Sequence, residues 1–403
     1  MTLIHYLNYK QYLIRFIQTP SPMAPNLKVN ILALHDHEST IDAASLKPAG
    51  PPSSEHAAGD SESYWDWSAD VPAEKERKPC TLDDTVNGDS YWAERNYDED
   101  IDSRFFIDYS REKGCGNQKG TVVRKAIERK TGQRFAVKSF SRRKCQEEEV
   151  KHEAAMLLSC DHPNVLKFHG IHQDHKSFHL VMEYASGGEL YDCVIKRAKK
   201  QLPHNRPVFS EPEAACILQQ ILSAMAHCHS AGLVHRDLKL ENLVFTDKKK
   251  HNLQIKVIDF GLAARLPRNG QLLTDRVGTN YYVAPELLNS SGYNQAVDVW
   301  ALGVVAYTLF SAKPPFRGAT EEETYALIQS QPVQFARDAV WQQVSAPAKA
   351  FLQACLQKDP KLRPSARDLL QDDWLQQQSA QLESSTTSNK RFLHKFKQAL
   401  HLS

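Results

Sequence analysis

A run of polar and charged residues between two apolar segments constrains the fold of this chain more than any other feature. The stretch "LVHRDLKLENLVF" places His, Arg, Asp, Lys, Glu and Asn between Leu233-Val234 and residues 243–245. A solvated loop needs no apolar walls on both sides, and buried charges persist only where they are paired or bind a metal ion. The stretch therefore predicts a functional site inside a folded domain.

The composition indicates a globular protein with no overall attraction to nucleic acid. Apolar residues make up 41% of the 403 residues, and 50 Lys and Arg residues face 48 Asp and Glu residues. The eight cysteines form no CxxC pair, which is typical of a reducing compartment.

No window approaches the roughly 18 apolar residues of a transmembrane segment. We expect a cytoplasmic protein, which could also be present in the nucleus. The first 35 residues lack Asp and Glu, which leaves a mitochondrial presequence as an alternative.

Both ends of the chain differ from its middle in residue composition and pattern. Residues 1–103 are predicted to form a mostly disordered arm, because Pro, Ser, Ala and charged residues dominate without a sustained period. Within it, "DSESYWDWSAD" and "NGDSYWAERNYDED" are either a docking motif for a partner or simply disordered. The tail, residues 377–403, ends in the basic amphipathic "NKRFLHKFKQALHLS". Such a helix is typical of calmodulin or membrane binding, and a packed or frayed terminal helix is the alternative.

The middle of the chain, residues 104–376, predicts an α+β domain. Residues of about 104–184 are rich in strand patterns such as "GTVVRKAIERKTGQRFAVKSF", with one helical segment, "EEEVKHEAAMLLSC". From about 185 to 376 the pattern becomes mainly helical, and "QAVDVWALGVVAYTLFS" is apolar on nearly all faces. We therefore expect a small β-rich lobe followed by a large α-helical lobe.

The polar stretch and a second segment supply the groups that phosphoryl transfer needs. Asp237 could accept a hydroxyl proton, Lys239 could neutralise a transferring phosphoryl group, and Asn242 could bind a hard cation. In "IKVIDFGLA", Asp259 follows a β-branched strand and could chelate magnesium between phosphates. Upstream, Lys138 of "RFAVK" could hold two phosphates, with a helical Glu153 to pair with its ammonium group.

The motifs "AVK", "HRDLKLEN", "DFG" and "APE" occur in this order over roughly residues 105–376, and with them the chain resembles eukaryotic protein kinases. The lobe segments "HPNVLKFHG", "SGGELYD" and "GYNQAVDVWALGVV" are most similar to the calcium/calmodulin-dependent kinase group. No EF-hand loop of the DxDxDG type follows, so any calcium control would act through a partner.

The resemblance implies a bilobal kinase fold, ATP and Mg²⁺ as cofactors, and protein substrates. Lys239 and the "GT" before "NYYVAPE" resemble the serine/threonine branch. The resemblance assigns catalysis to Asp237, Lys239, Asn242, Lys138 and Glu153, and the metal to Asn242 and Asp259. It also implies a buried ion pair between Glu286 and Arg363 and an anchoring role for Asp298. A pseudokinase scaffold is the alternative from another class.

The nucleotide site implied by the resemblance spans the glycine loop and the segment between the lobes. In "LVMEYASGGEL", Met182 closes the back of the pocket, Glu183 to Ala185 offer backbone bonds to adenine, and Glu189 lies near the ribose. Val122, Ala136 and Leu243 complete the pocket. The loop "GCGNQKGTVV" fits with Gly114, Gly116 and Gly120 only after one insertion; the alternative alignment puts Gly116, Gln118 and Thr121 at the glycine positions.

The resemblance also implies substrate and regulatory residues. Glu189 and Glu241 match positions that in basophilic kinases meet a substrate arginine, and Thr279 closes on the substrate site. A phosphate on Thr274 could pair with Arg236 and order the surrounding loop. Asp275 could instead supply that negative charge permanently, and the sequence leaves both alternatives open.

Overall fold

The computed structural model describes residues 96–97, 101–109, 120–249, 253–267, 270–289, 292–336 and 338–382. Most of the predicted disordered arm, both of its Tyr-Trp segments except residues 96–97, Gly114 and Gly116, and the tail from residue 383 lie outside the described residues. The predicted partners of the arm and the tail stay predictions. No helix in the described ranges is long and apolar enough to cross a membrane.

The first lobe is built on a six-stranded sheet in the order β1-β5-β6-β4-β3-β2. The turn between β3 and β4 is "KTG", where Gly132 has a φ of 73° that residues with a side chain rarely adopt. The strands are β1 Asn96–Tyr97, β2 Phe105–Ile107, β3 Thr121–Glu128, β4 Arg134–Ser141, β5 Phe168–Gln173 and β6 Ser177–Glu183.

Ordered structure begins upstream of the predicted boundary at residue 104. Strand β1 pairs in parallel with β5, at one edge of the sheet. The chain then forms the single-turn helix α1 (Ile101–Arg104) and continues into β2 at the opposite edge. Ile101 and Phe105 are buried against Val137 in the sheet core. Apolar burial thus extends the folded region into the segment assigned to the arm.

One long helix, α2 (Glu147–Leu158), packs against this sheet. It begins with a capping box between Gln146 and Glu149, which satisfies free N–H groups of its first turn. Val150 and Ala154 lie on its buried side and contact the sheet residues Phe178 and Leu180. This packing turns Glu153 toward the interior.

The second lobe is helical and surrounds α6 (Ala296–Ser311). Every residue of α6 after Ala296 is buried, as a sequence that is apolar on nearly all faces predicts. Around it lie α3 Leu190–Gln201, α4 Glu211–Ser230, α5 Pro285–Leu288, α7 Glu321–Ser330, α8 Ala346–Cys355, α9 Ala366–Leu369 and a helix at residues 373–382. That last helix crosses the predicted boundary at residue 376, and Ser379 within it is buried.

Short strands at the junction of the two lobes position the polar stretch. They are β7 Gly188–Glu189, β8 Leu233–Val234, β9 Leu243–Phe245, β10 Ile255–Val257 and β11 Ala264–Arg265. The apolar brackets of "LVHRDLKLENLVF" are β8 and β9, and β10 pairs with β9 so that Asp259 emerges beside the polar loop. The predicted α+β fold with a β-rich and a helical lobe is confirmed.

Candidate active site

The loop between β8 and β9 is held by a buried carboxylate from α6. Asp298 accepts hydrogen bonds from the backbone N–H of His235 and of Arg236, both at 2.9 Å, and from His229 Nε2 at 2.8 Å. Burial opposes ionisation of Asp298, but His229 and the other donors hold its pKa below the usual value. Arg236 has a φ of 67°, and the two backbone bonds hold it in this uncommon conformation. The predicted anchoring role of Asp298 is confirmed.

Asp237 lies at the centre of a polar cluster formed by this loop. Its Oδ1 accepts a hydrogen bond from Thr279 Oγ1 at 2.8 Å, and its Oδ2 accepts one from Lys239 Nζ at 2.5 Å. Asn242 Nδ2 donates to the backbone oxygen of Asp237 at 2.8 Å and to its Oδ2 at 3.1 Å. The structure therefore brings together the predicted proton acceptor, the predicted charge-neutralising lysine and Thr279.

A second cluster joins the sheet, helix α2 and the segment after β10. Lys138 Nζ donates to Glu153 Oε1 at 2.6 Å and to Asp259 Oδ1 at 3.0 Å. Burial would lower the pKa of Lys138, but Glu153 and Asp259 raise it above the usual value. Burial likewise opposes ionisation of Asp259, and Lys138 holds the pKa of that carboxyl below its usual value. Lys138 and Asp259 are thus both shifted toward their charged forms, whereas burial and the nearby Asp259 carboxylate raise the pKa of Glu153 above its usual value.

The two clusters are adjacent because the chain segments that carry them are hydrogen-bonded. The backbone N–H of Ile258, next to Asp259, donates to the backbone oxygen of Asn242 at 2.9 Å. His235 and Phe260 stack edge to face with their ring centroids 4.8 Å apart, and both are fully buried. This ring contact joins the two motifs in the core.

The donor set fits a magnesium ion held together with phosphates. Two carboxylates face one ammonium group around Lys138, and a divalent cation would offset the excess negative charge. The amide nitrogen of Asn242 is used in hydrogen bonds, so its oxygen is the atom that could bind a metal ion. No group of at least three His, Cys, Asp or Glu residues suited to a metal occurs in the described part of the chain. Mg²⁺ usually takes one or two protein ligands and completes its shell with phosphates and water, and the oxygen atoms of Asn242 and Asp259 fit such a site.

The segment between the lobes offers backbone groups beside a buried apolar wall. Met182 is buried at the end of β6, opposite Ala136 on β4. The N–H of Glu183 is used within the protein, as it donates to the backbone oxygen of Lys167 at 2.8 Å. The carbonyl oxygen of Glu183 and the backbone groups of Ala185 therefore remain as candidates for hydrogen bonds to adenine. Leu243 is fully buried on β9, which pairs with β7.

The strand register differs from the prediction for Val122. In the β3–β4 pair, Val122 is opposite Ser139 and Val123 is opposite Lys138. Partners in a pair point to the same face and neighbours along a strand to opposite faces, so Val123 shares the face of Lys138 and Val122 does not. The register agrees with the alternative alignment of the glycine loop.

Backbone geometry explains why residue 120 is a glycine. Its φ is 91°, and a Cβ added there would lie 2.6 Å from Lys144 Cβ. Glycine is therefore required by backbone conformation and by close approach to the segment before α2. This requirement accounts for Gly120 without a phosphate contact.

Glu189 and Glu241, the residues predicted to meet a substrate arginine, belong to an acidic cluster with a third member, Asp192, that was not predicted from the sequence. Burial, Asp192 and Glu241 raise the pKa of Glu189 to about 7. Asp192 lies one helical turn after Glu189, so the spacing in "GGELYD" could have revealed it. The three carboxyl groups repel one another, which favours a cation at this place.

The segment around Thr274 and Asp275 is held in place by the loop arginine. Arg236 Nη1 contacts Asp275 Oδ2 at 3.2 Å and donates to the hydroxyl of Tyr293 at 2.9 Å. Leu273 and Tyr293 form an antiparallel backbone bridge. Thr274 is exposed next to this contact. No feature of the sequence pointed to Tyr293.

Far from these clusters, the predicted ion pair of the helical lobe is formed. Arg363 Nη1 and Nη2 bond the two oxygens of Glu286 at 2.7 and 3.1 Å. The arginine also donates to the backbone oxygens of Ala296 and Gln357. The pair joins α5 to the loop before α9.

Comparison with known proteins agrees with this geometry. Residues 109–375 match the protein kinase domain family. The chain is 35% identical over 281 residues to calcium-dependent protein kinase 5 of Plasmodium falciparum, which covers 69% of this chain and 47% of that protein. It is 37% identical over 254 residues to calcium-dependent protein kinase 10 of Arabidopsis thaliana, a match that covers 62% of this chain and 44% of that protein. It is 34% identical over 272 residues to human serine/threonine-protein kinase DCLK3, a match that covers 66% of this chain and 40% of that protein.

The chain spans about half the length, or less, of these relatives. The match to the family nevertheless includes both clusters and the segment between the lobes. The chain belongs to the protein kinase family, within the serine/threonine branch and the calcium/calmodulin-dependent group.

Proposed function

We propose that this protein transfers the γ-phosphate of ATP to serine or threonine hydroxyls of protein substrates. The observation that carries the proposal is the pairing of two polar clusters. One centres on Asp237 and the other on the contacts of Lys138 with Glu153 and Asp259. Phosphoryl transfer requires positioning and charge stabilisation rather than covalent chemistry, and these clusters supply both.

Each residue has a role that follows from its contacts. Asp237 orients the substrate hydroxyl and receives its proton, and Lys239 stabilises charge on the transferring group. Lys138 holds phosphate oxygens, and Glu153 fixes the direction of its ammonium group. Asn242 and Asp259 hold Mg²⁺, which when bound neutralises phosphate charge.

We also propose a preference for substrates with an arginine upstream of the acceptor. The support is the acidic cluster of Glu189, Asp192 and Glu241, in which burial and the two neighbouring carboxylates raise the pKa of Glu189 to about 7. A guanidinium group between these carboxylates would relieve the repulsion and form charge-assisted hydrogen bonds.

For regulation, we propose that Asp275 supplies the anion that Arg236 requires, so that activity does not depend on phosphorylation of Thr274. The support is the contact of Arg236 Nη1 with Asp275 Oδ2 and with the Tyr293 hydroxyl. Thr274→Ala should retain activity after phosphatase treatment, whereas Asp275→Ala should lose it and Asp275→Glu should keep it. Loss of activity in Thr274→Ala would favour the phosphorylated alternative.

The activity is tested by Mg²⁺-dependent transfer of labelled phosphate from ATP to a serine peptide with upstream arginines. Asp237→Ala and Asp259→Ala should each lower kcat by at least about a hundredfold, since each removes a group that acts in the transition state. Asp338→Ala is the matched control, because it removes a surface carboxylate paired with Lys313. Peptides with threonine or tyrosine acceptors define the hydroxyl preference. Nucleotide binding without transfer by the wild type would instead support a pseudokinase scaffold.

A further inference from the structure

A histidine on α2 bonds the segment that carries Asp259. His152 precedes Glu153 in the helix, and its Nε2 lies 2.7 Å from the backbone oxygen of Ala263. A carbonyl oxygen can only accept, so Nε2 carries the hydrogen of this bond. The contact joins residues 111 positions apart in the chain. It therefore links helix α2 of the first lobe to the segment after β10.

The same segment is held from its other side by the loop that carries Asp237. Arg236 Nε donates to the backbone oxygen of Leu262, next to Ala263. Directly afterwards, β11 pairs with β8, with Ala264 opposite Val234. Two consecutive carbonyl groups are thus bound by side chains from different parts of the site: one by the loop arginine and one by α2.

The position of α2 decides whether Glu153 reaches Lys138. On the sheet side, the helix is held by apolar contacts of Val150 and Ala154, and such contacts are non-directional. On the other side it approaches the Asp259 segment closely, since a Cβ added at Gly261 would lie 3.3 Å from Glu153 Oε2. A directional hydrogen bond one residue away from Glu153 opposes rotation of the helix about its axis.

We propose that His152 is a positioning residue that fixes α2 against the segment of residues 259–263, so that Glu153 and Asp259 meet Lys138 together. His152 is exposed at the helix surface, and its hydrogen bond goes to the backbone oxygen of Ala263 rather than to a reacting group. It acts through Glu153, and it couples that residue to Arg236 through the shared backbone segment. The proposal rests on the proposed kinase activity for its kinetic consequence, but the structural coupling stands without it.

The test compares three variants of the full chain. His152→Leu keeps the bulk of the side chain and removes the donor. His152→Gln restores an N–H donor of similar reach. Lys151→Ala is the control in the same helix, since it removes the surface pair with Glu147 and leaves His152 in place. Amide hydrogen exchange of residues 147–158 and 259–265 is measured for each protein, and kcat and KM are measured for ATP and for the serine peptide.

His152→Leu should speed amide exchange in both segments and lower kcat about 5- to 10-fold, as expected for one lost hydrogen bond, with the peptide KM within about twofold. His152→Gln should restore both quantities, and Lys151→Ala should match the wild type. Wild-type exchange in His152→Leu would overturn the proposal. Equal impairment in His152→Gln would also overturn it, because packing rather than the donor would then matter. If the wild type transfers no phosphate, the proposed activity fails while the exchange comparison still decides the role of His152.

Discussion

The raised pKa of Glu189 predicts a pH-dependent preference for arginine-bearing substrates. Burial and the neighbours Asp192 and Glu241 raise this pKa to about 7. A carboxyl group is neutral below its pKa and charged above it, whereas a substrate arginine stays charged throughout. The contact between Glu189 and the arginine therefore gains strength as the pH rises through neutrality.

The size of the effect follows from the charged fraction of Glu189. With a pKa of about 7, this fraction rises from about one tenth near pH 6 to about nine tenths near pH 8. If only the charged form binds the arginine, kcat/KM for an arginine peptide should rise about tenfold over this range, relative to a peptide with alanine in its place. The ratio of the two peptides removes any pH dependence of the transfer step itself.

The assay measures kcat/KM for both peptides across this pH range in three proteins. Glu189→Gln should make the ratio independent of pH, because the carboxyl group with the pKa of about 7 is removed. Asp192→Asn should move the midpoint of the profile to lower pH, because Asp192 is one of the groups that raise the pKa of Glu189. A flat ratio in the wild type, or a midpoint that Asp192→Asn leaves unchanged, would refute the reasoning.

Three further predictions follow from the described contacts. Glu286→Ala should lower the free energy of unfolding in urea by about 3–5 kcal/mol, because the Arg363 guanidinium then stays buried without its counter-ion; a loss below about 1 kcal/mol would contradict this. Gly120→Ala should lower the midpoint of thermal unfolding, because a side chain there is strained by at least about 1 kcal/mol; an unchanged midpoint would show that the loop adapts. Val123→Ala should weaken binding of a fluorescent ATP analogue while Val122→Ala does not, and the reverse order would restore the first alignment of the glycine loop.

Much of the fold could be predicted because its signals are local. The turn at "KTG", the capped helix α2 and the mostly apolar α6 are each encoded in a short window of sequence. The start of the domain could not be predicted in this way. Ile101 is buried against sheet residues that lie further along the chain, such as Val137, and no local period marks that contact.

The candidate site shows the same division. Asp237, Lys239 and Asn242 lie in one short segment, so their proximity could be expected from the sequence alone. The sequence left the strand register open between two alignments, because one inserted residue in the glycine loop exchanges the faces of Val122 and Val123, and the structure decided between them.

The sequence by itself determined the family, the order of the two lobes and the identity of the polar groups, because these depend on residue types at fixed spacing. The tertiary structure decided which groups meet across long separations in the chain. The contact of Lys138 with Asp259, the bond of His152 to Ala263 and the contact of Arg236 with Asp275 all join residues from separate elements. The physical reason is that hydrogen bonds and charge pairs act over a few ångströms, and only packing of the core brings distant segments that close.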